Sequence, residues 1–387
     1  MVEGVEDLVQ RSHKIRLSPN NVQSIYFAKA CGVSRLAYNW GLAEWKTQYE
    51  SGEKSSSYGI KKRFNSIKRD QFPFVYEVTK CSPERSFTDL DAAFKRFFKK
   101  KSGYPKFKKK GVYDSFYISG DKFSVDGSYV KIPKLGRVKM TEVLRYSGKI
   151  LSATISRKAD WWFISITVKI DDVEDKGENQ AFNPVGIDFG VSKFATLSDG
   201  TVFENSRVTK KFSQRLRLLS KSLSRKIKGS KNWYKSKLRL QRLHVRIGDY
   251  RSDAIHKFSR IVADTYSDVC LEDLNVSGMV KNHKLAKAIQ DVSFHEAKRQ
   301  LEYKCSNVHE IDRWFPSTKT CGDCGSINDM KLSDRVFKCD CGLELDRDLN
   351  AAQNILRQGL SSKLVERQAL VLQDSLKYET GLWEARN

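Results

Sequence analysis

Long hydrophobic runs are missing from this chain. No window of 18 apolar residues occurs in its 387 residues, so no membrane-spanning helix is expected. The start, Met1-Val2-Glu3-Gly4-Val5-Glu6-Asp7-Leu8, is acidic and has no apolar stretch, which argues against a signal peptide. No internal repeat of 20–50 residues is visible, so the chain does not read as a repeat array. A disulfide framework is also lacking. Of eight cysteines, Cys321, Cys324, Cys339 and Cys341 crowd together, while Cys31, Cys81, Cys270 and Cys305 are scattered in apolar or helical contexts as buried thiols. That distribution fits a reducing cytosol and one metal site. Acidic residues are in deficit, 46 Asp+Glu against 70 Lys+Arg, for a net charge of +24. Such an excess calls for a polyanionic partner, and nucleic acid is the commonest.

With 40% hydrophobic residues, the chain can bury two or three sizeable cores. Lys14-Ile15-Arg16-Leu17 alternates like a short strand, and residues 20–98 are mainly helical in pattern, with amphipathic segments at Ala28–Trp40 and Phe87–Phe98. Next comes Lys99-Lys100-Lys101-Ser102-Gly103-Tyr104-Pro105-Lys106-Phe107-Lys108, where Gly and Pro break the helix and aromatics interleave with lysines. Lys99, Lys100, Lys101, Tyr104, Lys106, Phe107 and Lys108 are candidates for phosphate neutralisation and base stacking. Between Val112 and Ile170, short strand candidates punctuated by Asp126-Gly127 and Lys134-Leu135-Gly136 suggest a small β-barrel. A polar, acidic linker from Asp171 to Asn183 ends at Pro184 and marks a domain boundary.

Beyond it, Val185–Val191 reads as a buried strand, followed by a hairpin through Ser198-Asp199-Gly200. From Arg207 to Arg260 runs a long helical stretch with 18 Lys/Arg and only two acids, Asp249 and Asp253. It reads as a basic ridge along nucleic acid, with Arg225, Lys226, Lys228 and Lys231 as candidate contacts. A strand at Tyr266–Asn275, a helix marked by Leu285, Ala286, Ile289, Val292, Phe294 and Leu301, and a strand at Val308–Phe315 lead into the cysteines.

The cysteine spacing is Cys321-x2-Cys324-x14-Cys339-x-Cys341. Two close pairs separated by a short hairpin match a closed, structural Zn²⁺ site with four thiolate ligands. Gly322, Gly325 and Gly342 let the backbone turn around the thiolates, and Lys319, Lys331, Arg335 and Lys338 are expected to offset their charge.

Three carboxylates stand out. Asp188 interrupts an apolar strand, which is costly unless it is paired or binds metal. Glu272 ends another strand. Asp348 precedes Leu349, Ala352, Ile355 and Leu356, which recur at helical spacing, and together with Asp346 it also has the look of a helix cap. Gathered on one sheet, as in a ribonuclease H-like layer, these acids would hold Mg²⁺ or Mn²⁺. Two such ions, about 3.5–4 Å apart, serve phosphodiester cleavage.

The ordered set Gly-Ile-Asp188-Phe-Gly, Leu-Glu272-Asp-Leu and Asp346-Arg-Asp348-Leu-Asn-Ala-Ala-Gln-Asn-Ile resembles the TnpB family, the transposon-encoded RNA-guided nucleases related to type V CRISPR effectors. Gly103-Tyr104-Pro105-Lys106-Phe107-Lys108, Asp114-Ser115-Phe116 and Pro133-Lys134-Leu135-Gly136 carry the likeness in the first half. Arg251-Ser252-Asp253, His256-Lys257-Phe258-Ser259 and Trp314-Phe315-Pro316-Ser317-Thr318-Lys319-Thr320-Cys321 carry it in the second. The resemblance implies an α+β multidomain chain. A wedge-like β-barrel (1–18 and 106–180) holds a helical recognition domain (19–105), and a ribonuclease H-like RuvC domain (181–315 and 345–387) holds a zinc finger (316–344). It implies Asp188, Glu272 and Asp348 as catalytic acids, leaving open whether Asp346 also binds metal. It also implies a guide RNA and a target DNA as partners, with no membrane, in the cytoplasm of a prokaryote near the nucleoid. The reading is an RNA-guided DNA endonuclease. Its alternatives are an RNA-guided DNA-binding repressor and a strand-transferring transposase.

Overall fold

A computed structural model of the chain describes residues 10–170, 181–331 and 334–361. It contains two compact units, Met1–Glu174 and Asp175–Asn387.

The first unit opens with β1 (Gln10–Ser18), whose period-two alternation buries His13, Ile15 and Leu17 and exposes Lys14 and Arg16. Three helices follow, α1 (Asn21–Glu50), α2 (Ser57–Gln71) and α3 (Cys81–Phe98). A capping box starts α1: the Gln23 N–H donates to Asn20 Oδ1 at 2.9 Å, and the Asn20 N–H donates to Gln23 Oε1 at 3.0 Å. Six strands complete the unit, β2 (Ser115–Ser119), β3 (Ser124–Asp126), β4 (Tyr129–Ile132), β5 (Gly136–Met140), β6 (Lys149–Lys158) and β7 (Trp161–Lys169). All pair antiparallel in the order β2-β6-β7-β1-β5-β4-β3. The inner face, including Ile15, Phe116, Ile155, Trp162 and Ile164, shares one core with Phe27 and Ala30 of α1 and Phe64 of α2. The Phe27 and Trp162 rings sit 5.1 Å apart.

The small barrel expected from the strand pattern is met as a seven-stranded antiparallel sheet. Among the described residues no ladder joins its edges, β2 and β3. Closure needs edge strands that reach and pair with one another. Here β3 is only three residues long and its described pairing is with β4.

The second unit begins with β8 (Pro184–Phe189), β9 (Lys193–Leu197) and β10 (Val202–Glu204). The stretch from 207 to 260 forms two helices, α4 (Val208–Ser224) and α5 (Lys231–Thr265). The break falls at Gly229, in the left-handed region at φ 89°, and Ser230 then caps α5 by accepting the Trp233 N–H at 3.1 Å. Then come β11 (Asp268–Glu272), α6 (Val276–Met279), α7 (His283–Val292), α8 (Phe294–Lys304) and β12 (Asn307–Ile311). The helix expected from Leu285 to Leu301 is thus two, separated at Ser293, whose φ is 60°. A two-stranded ribbon, β13 (Val336–Lys338) and β14 (Glu344–Asp346), leads into a final helix, α9, at 347–361.

The central sheet runs β10-β9-β8-β11-β12. β10, β9 and β8 are antiparallel, whereas β8, β11 and β12 are parallel. Alternation assigns its two faces. Val185, Ile187, Val269 and Leu271 pack against Ile255, Phe258 and Val262 of α5 and Ala297 and Leu301 of α8. On the opposite face, Cys270 and Ile311 pack against Ile355 of α9. The approach of α9 to β8 is so close that a Cβ added at Gly186 would collide with the Ala352 carbonyl and the Leu356 backbone nitrogen. Asp188 has the parity of Gly186, and Glu272 that of Cys270, so both carboxylates lie on the α9 face at the C-terminal strand ends. The strand register that sets Leu271 opposite Ile187 brings them side by side.

Candidate functional site: an acid cluster beside a four-thiol cluster

Asp348 is the second residue of α9 and lines the same cavity as Asp188 and Phe189, at the end of β8. Burial pushes the Asp188 carboxyl up first, followed by the charges of Asp348 and Glu272, to about 7; Arg347 partly offsets them. Asp188 keeps some solvent contact at the cavity wall, yet protein surrounds it closely enough for desolvation to dominate. Glu272 is also raised by burial, opposed by the Ser317 hydroxyl, which donates to Glu272 Oε1 at 3.3 Å. Strand register sets Glu272 beside Asp188, and Asp188 and Asp348 line one cavity, so the three acids named from the sequence are neighbours.

Asp346 behaves differently. Its Oδ1 accepts the Asp348 N–H at 2.9 Å and the Leu349 N–H at 3.2 Å, making it the cap of α9. Burial works against its charge, but Lys193 and these N–H groups hold its carboxyl below the usual range. Lys193 Nζ lies 3.0 Å from Asp346 and 3.8 Å from Asp348. Sequence reasoning assigned nothing to Lys193, because one lysine in a strand gives no local signal.

A cavity of about 1060 Å³ opens beside Asp188 and Asp348 and carries Arg207, Lys210, Lys287, Arg335 and Arg347 on its wall. Part of that wall is held by Asp291, which accepts from Thr209 N–H at 3.0 Å and from Arg251 Nε at 2.7 Å, tying α7 to α4 and α5. Cations lining an acid-tipped cleft suit a phosphodiester strand, provided that divalent ions neutralise the acids.

The four cysteines converge. Their sulfurs lie within 4.8 Å of one another, with Cys321–Cys341 at 3.6 Å and Cys324–Cys339 at 3.5 Å. A tetrahedral Zn²⁺ with bonds of about 2.3 Å sets its thiolates about 3.8 Å apart, so the donor set and spacing fit zinc. Gly325 and Gly342, at φ 74° and 98°, make the two turns. Three of the four cations expected to offset the thiolates have described partners or places of their own. Lys319 pairs with Asp329 and Lys338 with Glu344, each at 2.8 Å, and Arg335 lines the acid cavity. Nearby acids hold two of these cations, and Ser326 Oγ instead meets Cys324 Sγ at 3.0 Å and Cys339 Sγ at 3.2 Å.

The remaining candidates lie elsewhere. Lys99, Lys100, Lys101, Lys106 and Phe107 are exposed. Tyr104 packs edge-on to Phe94 and Phe97, at 5.7 and 5.4 Å, and the Lys108 ammonium sits 4.1 Å from the Tyr38 ring centre. Both therefore anchor the segment to its own unit. Arg225, Lys226, Lys228 and Lys231 are exposed at the tip of the α4–α5 hairpin, and no described ion pair engages them.

The raised Asp188 carboxyl has a measurable consequence. Between pH about 4 and about 7 the folded, metal-free chain retains a proton that the unfolded chain releases. The stability cost is absent below that window, grows through it and is complete above it. Asp188→Asn should raise the melting temperature of metal-free protein at pH 8 by a few degrees and change it little at pH 4.5. Scanning calorimetry in chelator checks this; equal melting temperatures at pH 8 would contradict the acid cluster.

Comparison with known proteins gives three family matches. OrfB_IS605, described as "Probable transposase", matches residues 165–283, and "Cas12f1-like, TNB domain" matches 294–355. A third, described as "Helix-turn-helix domain", matches residues 9–54. The described part of that stretch contains the strand β1 and the single helix α1. A Streptomyces pristinaespiralis protein named "Putative RNA-guided DNA endonuclease" is 33% identical over 92% of this chain and 90% of its own length. "Putative RNA-guided DNA endonuclease InsQ" of Escherichia coli is 33% identical over 90% and 92%. A solved structure titled "Cryo-EM structure of CasPhi-2 (Cas12j) bound to crRNA" aligns at TM-score 0.47 and 11% identity, over 91% of this chain and 98% of that one. On the identity and extent of the match to these relatives, the chain belongs to the TnpB family, the OrfB proteins of IS605-type transposons.

Proposed function

We propose that the protein is the RNA-guided DNA endonuclease of a transposable element. The observation that carries this reading is that Asp188, Glu272 and Asp348, far apart in sequence, are brought together: strand register sets Glu272 beside Asp188, and Asp188 and Asp348 share the wall of a cation-lined cavity. Those three carboxylates would hold Mg²⁺ or Mn²⁺, and the four cysteines would hold Zn²⁺. When bound, a pair of divalent ions activates water and stabilises the leaving oxygen of a phosphodiester. Arg207, Lys210, Lys287, Arg335 and Arg347 orient the strand by its phosphates and read no base. The antiparallel-then-parallel sheet supports reading residues 181–315 and 345–387 as a ribonuclease H-like RuvC domain, with 316–344 as an inserted zinc ribbon. Residues 1–18 and 106–180 are assigned to the wedge, and 19–105 to guide and target recognition.

The partners in this reading are a guide RNA and its target DNA, as the names of the relatives support. Sequencing the RNA that co-purifies with the full chain tests it. One dominant RNA species is expected, and purification free of RNA or with random cellular fragments would count against it. The description "Probable transposase" for residues 165–283 favours a second reading, strand transfer by the same acids. Joined rather than cut products in a cleavage assay would select it.

The α4–α5 hairpin tip is assigned to the phosphate backbone of the guide–target duplex. Replacing Lys226, Lys228 and Lys231 together with Ala should weaken nucleic-acid binding and flatten its salt dependence by up to about three units of log–log slope. Target choice should be unchanged, because base pairing carries it. Binding titrations over a salt series check this; an unchanged slope would leave the tip a solubility feature.

A further inference from the structure

We propose that Asn350 and Asn354 are positioning residues that carry the geometry of the thiol cluster to Glu272 through the loop at 317–322. The proposal rests on the reading of Glu272 as a cation-holding acid.

The two asparagines sit one turn apart on α9 and are 0% and 3% exposed. Buried amides are costly unless their polar atoms find partners, and both of these bond to the same loop. Asn350 Nδ2 donates to the Thr320 carbonyl at 2.8 Å, and Asn350 Oδ1 accepts the Gly322 N–H at 3.2 Å. These two backbone groups flank Cys321, so the first thiol of the cluster is gripped on both sides. Gly322 has little spare room there, since a Cβ would stand 3.1 Å from Asn350 Oδ1. Asn354 Nδ2 donates to the carbonyls of Ser317 at 2.9 Å and Thr320 at 2.7 Å. Ser317, itself 4% exposed, is the residue whose hydroxyl reaches Glu272 Oε1.

One short loop thus joins the thiol cluster at Cys321 to the acid cluster at Ser317. The helix that carries Asp348 sets its register through two amides. An apolar helix face would bury comparable area but would let the loop slide, whereas paired amide hydrogen bonds select a single register. Losing the zinc-held end of the loop should therefore disturb Glu272, whose described side-chain hydrogen bond is to Ser317. A misplacement of about 1 Å at such a site can cost on the order of a hundredfold in rate.

The test uses the full-length protein without nucleic acid. Mn²⁺ affinity is measured by electron paramagnetic resonance, and zinc retention by release to a colorimetric chelator. Asn354→Ala and Cys321→Ser should both weaken Mn²⁺ binding about tenfold, the scale of changes to groups that orient metal ligands. Asn354→Ala should also release zinc faster. Ser317→Ala removes only the hydroxyl; it should weaken Mn²⁺ binding by about the same factor while retaining zinc and melting temperature as in wild type. If Asn354→Ala fails to fold, Ser317→Ala decides. Mn²⁺ affinity within twofold of wild type in Ser317→Ala, with Glu272→Ala weakened, would overturn the coupling alone. Unchanged affinity in Glu272→Ala would overturn the reading of that acid, and the proposal with it.

Discussion

Asp188→Ala, Glu272→Ala and Asp348→Ala should each slow guided DNA cleavage by more than about a hundredfold, since changes to groups that only orient a metal ligand already cost 10–100-fold. Binding of guide-matched DNA should stay within about twofold. A carboxylate that holds a catalytic cation contributes to the transition state and little to the ground-state complex. Asp346→Ala should behave otherwise. Its carboxylate accepts two backbone N–H groups at the start of α9, so its loss costs a cap, about 1 kcal/mol, and reduces cleavage only in part. Single-turnover assays on the four variants separate these roles. Robust cutting by Asp348→Ala together with none by Asp346→Ala would exchange the two assignments.

Cys321→Ser or Cys339→Ser should abolish zinc retention and loosen the second unit, because structural zinc contributes directly to local folding. The consequence reaches the acids by a short path, since β14 ends at Asp346 and α9 begins at the next residue. Cleavage should fall by more than about tenfold in either variant, with new protease sites between residues 317 and 346. Elemental analysis of the wild-type protein gives the simplest check, with one zinc per chain expected. A wild-type protein purified without zinc would refute this reading of the thiols.

The acids were legible in the sequence because each breaks a pattern: Asp188 interrupts Val-Gly-Ile…Phe, Glu272 ends Val-Cys-Leu, and Asp348 opens a helical repeat. Which of Asp346 and Asp348 caps the helix was not legible, because an aspartate suits either place and only backbone geometry separates them. The thiol cluster was legible from spacing alone. Its compensating cations were not, since Asp329 and Glu344 compete for the lysines and no count of charges reveals a partner. Strands in the first unit followed from alternation, but closure depends on which edges meet, and alternation says nothing of that. The break at Ser293 lacks any Gly or Pro signal, and the one at Gly229 was hidden by the continuous run of cations. Asn350 and Asn354 read as ordinary polar helix residues; their roles come entirely from a loop some 30 residues earlier.

The proposed activity is cleavage, by Asp188, Glu272 and Asp348, of DNA chosen by an RNA. Its most direct test is incubation of the purified protein–RNA complex with Mg²⁺ and two DNA duplexes, one matching the guide and one scrambled, and sequencing of the product ends. Cut ends are expected in the matched duplex alone, none with Asp188→Ala, and none after the RNA is removed. Equal cutting of both duplexes, or undiminished cutting by Asp188→Ala, would contradict it.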